Sequence, residues 1–304
     1  MRILYDYQVF SAQQHGGVSR YFVELARRIG NHIRAGVSSE ILSPLYHNKL
    51  LGDNKNLLSV NGLYMPKLPK STKITNFLNH QISQWVVSAS SPDILHETYY
   101  SDRNLIAPNS LRVLTVYDMI TELYPDSFKA SAEMSATKKS ALKRADHIIC
   151  ISKNTQRDLC EILDVDISKT SVIYLAADHL KEIKPHRFAL PQPYILFVGQ
   201  RGGYKNFANA LKAFACSKLH IEGFKLVCFG GGSLTEYEHD LIKKLCINPA
   251  SVRQVSGDDG LLSSYYKHAF LYINPSHYEG FGIPILEAMM HQCPVICSER
   301  SSMP

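Results

Sequence analysis

No stretch of 18 apolar residues occurs anywhere in this chain, which excludes a transmembrane helix of ordinary length. Cysteine never appears as CxxC, and no His or Cys pair completes a zinc site around Cys293 and Cys297. The 7 cysteines are odd in number, and most sit in apolar runs such as DHIICIS and KLVCFG. Buried free thiols in a reducing compartment fit this pattern better than disulfides do. A strong charge of one sign is absent too. The 33 basic and 27 acidic residues leave a net +6, well short of the footprint of a nucleic-acid binder. Such a mild excess suits anionic substrates or an anionic surface. There is no internal repeat and no low-complexity tract. The opening MRILYDYQVF carries one arginine and then polar residues, unlike a signal peptide, so a cytoplasmic protein is expected.

What the chain does have is a rhythm. Its 304 residues suit two domains of about 150 each. In the second half, YILFVG (194–199), KLVCFG (225–230), AFLYINP (269–275) and PVICS (294–298) are short and apolar throughout. Runs of this kind predict parallel strands buried on both faces. NFANALKAFACSKL and LTEYEHDLIKKLC between them have helical spacing, giving βαβ units and a doubly wound sheet. The first half repeats the pattern with strands in MRILYDY, DILHE, RVLTVYD and HIICIS, and helices in SRYFVELARRI and SATKKSALKRA. KEIKPHRFALPQP (181–193) holds three prolines and no period, so the boundary falls there, with domains at 1–185 and 186–304. The expected fold is α/β, with two Rossmann-like doubly wound domains facing each other across a cleft. Ligands of such sheets bind beyond the carboxyl ends of the strands.

The stretch SHYEGFGIPILEAM, residues 276–289, sets Glu279 and Glu287 on either side of two glycines and a proline. AFLYINP reads as a strand and SHYEGFG as the loop leaving its carboxyl end. Pro284 suits the first turn of a helix, IPILEAMM. Amides near Gly280, Phe281 and Gly282, with the positive end of the helix behind them, make an anion site suited to a phosphate or diphosphate. The carboxylates on either side can accept hydrogen bonds from hydroxyls. A phosphate with hydroxyl-rich groups on both sides describes a nucleoside-diphosphate sugar. The plainer reading makes Glu279 a helix cap and Glu287 a solvated helix residue, and the GFGIPIL spacer at a strand end weighs against it.

YILFVGQRGGYKN, residues 194–206, ends a strand in a glycine-containing turn that carries Arg201 and Lys205. Such a pair in a loop is ordinarily solvated surface. Beside a phosphate-binding helix it gains a purpose, because charge gathers on a nucleoside diphosphate as a glycosidic bond breaks. No metal-binding motif stands out, so fixed cations are expected to meet that charge. SAQQHGGVSRYFVEL, residues 11–25, places Gly16 and Gly17 between the first strand and a helix starting near Val18 or Ser19. Paired glycines let a backbone approach a ligand closely, or simply make a tight turn. In DILHETYYS, residues 93–101, His96 closes a strand, where a lone histidine is most often structural. DVD at 164–166 imitates a metal-binding DxD motif but follows KNTQRDLCEIL, so it reads as a helix-ending turn and surface loop. FGGGS at 229–233 imitates a dinucleotide fingerprint without its third glycine or ribose acid.

The segment SGDDGLLSSYYKHAFLYINPSHYEGFGIPILEAMMHQCPVICSERSSMP resembles the donor-binding region of family 4 glycosyltransferases of the GT-B fold, and the whole chain reads against that family. The resemblance implies that Glu279 lies against the hydroxyls of the transferred sugar and that Glu287 holds the ribose. It puts Arg201 and Lys205 on the diphosphate and brings the Gly16–Gly17 loop towards the donor. It gives His96 a place near donor sugar and acceptor. It also implies a retaining, metal-independent transfer with no cofactor beyond the nucleotide sugar. GDP-mannose is favoured by likeness to mannosyltransferases of surface-polysaccharide synthesis.

This chain departs from the family at VYDM, where Tyr117 replaces the histidine of VHDL, and at HQCPV, which lacks the glycine expected before PV. Family members typically continue beyond SERSSMP with further α/β elements and a closing helix, so the second domain is expected to be incomplete. Two rival expectations follow: an inactive nucleotide-sugar-binding remnant, and a GT-B-fold sugar-nucleotide epimerase. Acceptors in comparable bacterial enzymes are often lipid-linked oligosaccharides. Lys67, Lys70 and Lys73, near Leu68 and Phe77, with Lys138, Lys139, Lys143 and Arg144, are candidates for contact with an anionic membrane. Solvated faces are the more ordinary account of them.

Overall fold

The computed structural model describes residues 1–32, 36–69, 71–180, 183, 186 and 193–303. Most of 181–193, where the sequence places the domain boundary, lies outside the described residues, as does Lys70. The chain divides into two compact units: Met1–Tyr117 with Ala130–Ile173, and Asp118–Lys129 with Tyr174–Pro304.

The first unit is built on β1 (Arg2–Tyr5), β2 (Ser38–Tyr46), β3 (Val60–Tyr64), β4 (Ile94–Glu97), β5 (Leu111–Val116), β6 (His147–Cys150) and β7 (Thr170–Val172). Their order is β3-β2-β1-β4-β5-β6-β7, with every pairing parallel. The strand order reverses between β1 and β4, so the carboxyl ends of these two strands flank the crevice of the sheet. Leu4, Leu42 and Leu95 pack with Tyr7, Val87 and Leu105 in its core.

The second unit carries β8 (Tyr194–Val198), β9 (Lys225–Phe229), β10 (Val252–Val255), β11 (Leu271–Asn274) and β12 (Val295–Cys297), in the order β10-β9-β8-β11-β12 and again all parallel. The run YILFV is apolar at every position because β8 is covered on both faces. Tyr194 and Leu196 pack with Tyr265, Tyr266, Tyr272 and Ala288 on one face. Ile195 and Phe197 pack with Phe207, Leu211 and Phe214 on the other. The reversal of order here lies between β8 and β11, which carry the two loops singled out above.

Four strands and a long helix escape sequence reading. β2 contains Pro44 and a register shift between Leu42 and Leu45. β3, β7 and β10 are edge strands, short or polar, that bury little. The helix Thr72–Ser90 turns Thr75, Asn79 and Ser83 inwards, against the usual pattern. All seven cysteines are free, as expected, but only Cys150, Cys228 and Cys293 are buried, while Cys216, Cys246 and Cys297 are exposed. Among the described residues no helix is long and apolar enough to cross a membrane.

Candidate functional site

The site grows out of the switch point between β8 and β11. After β8 the chain turns at Gly199, whose φ of 107° is open to glycine, and reaches a short 3₁₀ turn, Gly203–Lys205. Two bonds tie this loop to the one after β11. Asn206 Nδ2 donates to the Pro275 carbonyl at 2.9 Å, and the His277 amide donates to the Tyr204 carbonyl at 2.7 Å. With both loops held, Lys205 Nζ donates to Glu279 Oε1 and Oε2 at 2.7 and 2.9 Å.

Other groups fix the carboxylate and its surroundings. Ser276 Oγ lies 2.7 Å from Glu279 Oε1 and 2.6 Å from Asn274 Oδ1, so its single proton serves one of them at a time. The hydroxyls of Ser301 and Ser302 donate to the Glu279 carbonyl at 2.6 and 2.7 Å. The Tyr204 ring lies 6.0 Å from Tyr124 and stacks on Phe128 at 6.4 Å, and Lys205 Nζ sits 5.3 Å from its centroid. Burial first, then the charges of Glu279 and Asp118, pushes the Tyr204 phenol up to about 12, so it stays a neutral donor.

Beyond Glu279 the chain crosses Gly280, buried in the turn, and Phe281, whose ring meets Tyr174 at 5.9 Å. Gly282, with φ 87°, caps the helix Ile283–Met290, and Pro284 occupies its first turn as expected. Among the described residues nothing accepts from the amides of Phe281, Gly282 and Ile283 at this helix start. Glu287, one turn inside, is buried and accepts from the Tyr266 hydroxyl at 2.9 Å. Burial, and next the Glu287 charge, holds the Tyr266 phenol well above its ordinary range.

Arg201 has a different neighbourhood from Lys205. Its side chain is 3% exposed. Nε donates to Glu238 Oε1 at 2.8 Å, Nη1 to the Gly230 carbonyl at 3.1 Å, and Nη2 to the Gly232 and Ser233 carbonyls at 2.9 and 2.8 Å. Gly230, Gly231 and Gly232 all have positive φ, and a Cβ on Gly231 would stand 2.5 Å from the Gly199 carbonyl oxygen. The FGGGS loop is thus shaped to wrap a guanidinium. Glu238 in turn closes a capping box with Thr235 at the start of the helix Glu236–Lys244. The structure therefore brings Lys205 and Glu279 together, while Arg201 and Glu287 are engaged with other partners.

In the first unit, Gly17 opens the helix Gly17–His32, and Gly16 packs so tightly on Gln13 that a Cβ would collide with Gln13 Oε1. His96 lies in β4, one residue before its end at Glu97, is 4% exposed, and packs against Tyr5 and Phe22 with ring centroids 5.4 and 5.1 Å away. Its Nε2 lies 2.9 Å from Thr115 Oγ1, and burial lowers the imidazole pKa to about 3, so it is neutral at physiological pH. Tyr117, following β5, keeps a buried hydroxyl with no bonding partner among the described residues. Asp6 follows β1 and accepts from the Thr98 amide and hydroxyl at 2.9 and 2.6 Å and from Gln8 Nε2 at 2.6 Å. Burial, then the nearby Glu97, raises its carboxyl to about 6. Sequence reading passed over Asp6, Ser276 and Tyr266. Only Ser276 carried a signal, three residues before Glu279 in PSHYEG.

Asp164 and Asp166 do what a turn requires. The first ends the helix Lys153–Leu163 in a left-handed conformation, and the second accepts from the Ser168 amide at 2.9 Å. Of the second basic group, Lys138 is buried with Nζ 5.3 Å from the Tyr100 centroid. Arg144 is bound to Glu97 at 2.6 Å, so only Lys139 and Lys143 are exposed.

Residues 15–179 match the family model described as Glycosyltransferase Family 4, and residues 178–304 match that of the Glycosyl transferases group 1. The O-antigen chain mannosyltransferase RfbU of Salmonella typhimurium is 29% identical over 193 residues, 62% of this chain and 52% of that protein. The chain spans about half the length of the curated relatives it matches, with 52% and 47% for the first two. Among solved structures, a sucrose-phosphate synthase from Thermosynechococcus elongatus superposes with a TM-score of 0.72 at 17% identity, covering 99% of this chain and 82% of that one. The Anabaena protein HepE in complex with UDP-glucose gives 0.66 at 15% identity, covering 99% and 81%. These likenesses show the GT-B type of fold, and the matches together place the chain in the family 4 glycosyltransferases.

Proposed function

We propose that this chain transfers a sugar from a nucleoside-diphosphate sugar to a hydroxyl of a glycan or lipid-linked acceptor, in the synthesis of a cell-surface polysaccharide. The observation that carries the reading is the Lys205–Glu279 contact at the switch point of the second unit, beside three unbonded amides of a helix start. A cation and a positive helix end suit a diphosphate, and a carboxylate fixed next to them suits sugar hydroxyls. In this reading Lys205 turns from Glu279 to the phosphates when the donor arrives, which frees Glu279 for the transferred sugar. Arg201 holds the Gly230–Ser233 loop and adds a fixed positive charge, the Gly280–Gly282 turn receives the diphosphate, and Glu287 takes the ribose.

The reaction breaks the bond from the anomeric carbon to the phosphate oxygen and forms one to the acceptor oxygen on the same face, with retention. The departing phosphate oxygen receives the acceptor proton. No metal ion is required, because cations and amides stabilise the leaving group. A buried neutral His96 is a poor base at physiological pH, so its part is to position substrate, together with the Gly16–Gly17 turn of the first unit. GDP-mannose is the preferred donor candidate, in keeping with the mannosyltransferase named among the relatives. A lipid-linked acceptor would bring the enzyme to the inner face of the cell membrane.

The test is a thermal-shift screen of nucleotide sugars followed by transfer assays on the stabilising donor. Lys205→Ala is expected to lower transfer by about 10²–10³, the usual loss when one preorganised charge-stabilising donor is removed, with an unchanged circular-dichroism spectrum. Wild-type turnover in that variant overturns the reading.

A further inference from the structure

The helix Thr72–Ser90 is built inside out. Its inner face is polar as far as Ser83, with Val87 joining the core beyond it: Asn79 accepts from the Leu45 amide at 2.7 Å and donates to the Leu45 carbonyl at 2.9 Å. These are backbone groups of β2 next to its register shift, where regular strand pairing is interrupted. Thr75 and Ser83 are buried beside it. The outer face carries Ile74, Phe77, Leu78, Ile82 and Trp85, all exposed, Ile74 to 65% and Trp85 to 73%. At 100° per residue these five positions span an arc of about 140°. A surface helix normally directs such a stripe into the core. Here it faces away from the protein over about three turns.

The charge around the stripe is one-sided. Residues 54–92 contain no Asp or Glu, but hold Lys55, Lys67, Lys70 and Lys73. Lys67 and Lys73 are exposed at the helix entrance, on either side of exposed Leu68. We infer that this face docks on the surface of an anionic phospholipid bilayer, with the apolar side chains among the acyl chains and the lysines at the phosphates. A second copy of the chain would bring like-charged lysines together, whereas a negative bilayer matches both the stripe and its border. A tryptophan near the interface is the placement its amphipathic ring favours. The surface belongs to the first unit and is independent of the donor-site reading, since lipid binding is measured with no sugar present.

Trp85 is the only tryptophan in the chain, so its fluorescence reports the proposed contact directly. Vesicles of phosphatidylglycerol and phosphatidylethanolamine are expected to shift its emission to shorter wavelength and to pellet the protein. Pure phosphatidylcholine should do neither, and salt should weaken the binding. Phe77→Ser combined with Ile82→Ser is expected to lower the vesicle-bound to free ratio by at least about tenfold. Lys67→Glu combined with Lys73→Glu should lower it by about fivefold for each lysine removed. All four side chains are exposed, so the fold should be kept. A wild-type Trp85 spectrum unchanged by the anionic vesicles overturns the proposal. So does a concentration-dependent dimer that shields Trp85 without lipid.

Discussion

Replacing Glu279 by glutamine separates affinity for the nucleotide from transfer of the sugar. In the structure Glu279 and Lys205 form a close pair with side chains 11% and 18% exposed. A diphosphate that approaches Lys205 must displace this carboxylate and is repelled by its charge. Two unit charges about 4 Å apart interact by roughly 1 kcal/mol in bulk water and about 4 kcal/mol at the effective dielectric of a protein surface. The pair is shielded on most sides, yet the lysine reaches solvent, so an intermediate value is appropriate. Glutamine keeps the volume and can still accept from Ser276, but it releases Lys205. The nucleoside diphosphate should then bind more tightly by roughly 1.4–3 kcal/mol, about ten- to a hundredfold in Kd.

Transfer should fall in the same variant, because a neutral amide holds sugar hydroxyls less strongly than a carboxylate does. The measurement is a calorimetric titration with the nucleoside diphosphate that stabilises the wild-type protein, alongside turnover of the full donor. A variant with an unchanged melting temperature and a Kd equal to or weaker than wild type refutes the competition for Lys205.

Arg201→Ala leaves Glu238 without its guanidinium and the Gly232 and Ser233 carbonyls without their donor, while the Gly230 carbonyl keeps only Gln254 Nε2 at 3.4 Å. Breaking a buried pair on one side costs about 3–5 kcal/mol, so the urea midpoint should drop as well as activity; a wild-type midpoint contradicts the clamp. Asp6 has its carboxyl raised from 3.8 to about 6, so its contribution to stability is greatest below pH 4 and is lost as pH rises through 6. Asp6→Asn should remove that loss, steepening the rise in stability between pH 4 and 6 that His96, with its depressed pKa, supplies in the opposite sense. Urea titrations across this range that superpose for the two proteins would contradict it.

The parts of the fold that sequence reading found are those where burial is symmetrical. β8, β9 and β11 lie between packed helices, and β12 is read from its apolar run, so period and length suffice. β3 and β10 are edges with exposed positions, and β2 is broken by Pro44, so their local signals are weak. The helix Thr72–Ser90 was missed for the opposite reason: its pattern is strong but faces the wrong way. In the site, each loop was legible by itself, yet the partnership of Lys205 with Glu279 was not. They are 74 residues apart, and only the order β8-β11 makes them neighbours. Nor could local sequence separate Arg201 from Lys205. The distinction rests on the FGGGS loop, whose positive φ values turn carbonyls towards one of them.

That division follows the chemistry of the two side chains. A guanidinium is a rigid planar fork with donors in fixed directions, which matches a cage of one carboxylate and three carbonyls. Withdrawing it would uncover Glu238 and release a loop that, among the described residues, has no other side-chain bond from the turn after β8. An ammonium is a compact charge on a flexible stem, and Lys205 directs it at a single carboxylate near solvent. Swinging it from Glu279 to an incoming anion exchanges one negative partner for another and leaves the two loops tied by Asn206 and His277. A loop that must stay rigid and also release a carboxylate on demand therefore needs arginine at its root and lysine at its end, and this chain has them in that order.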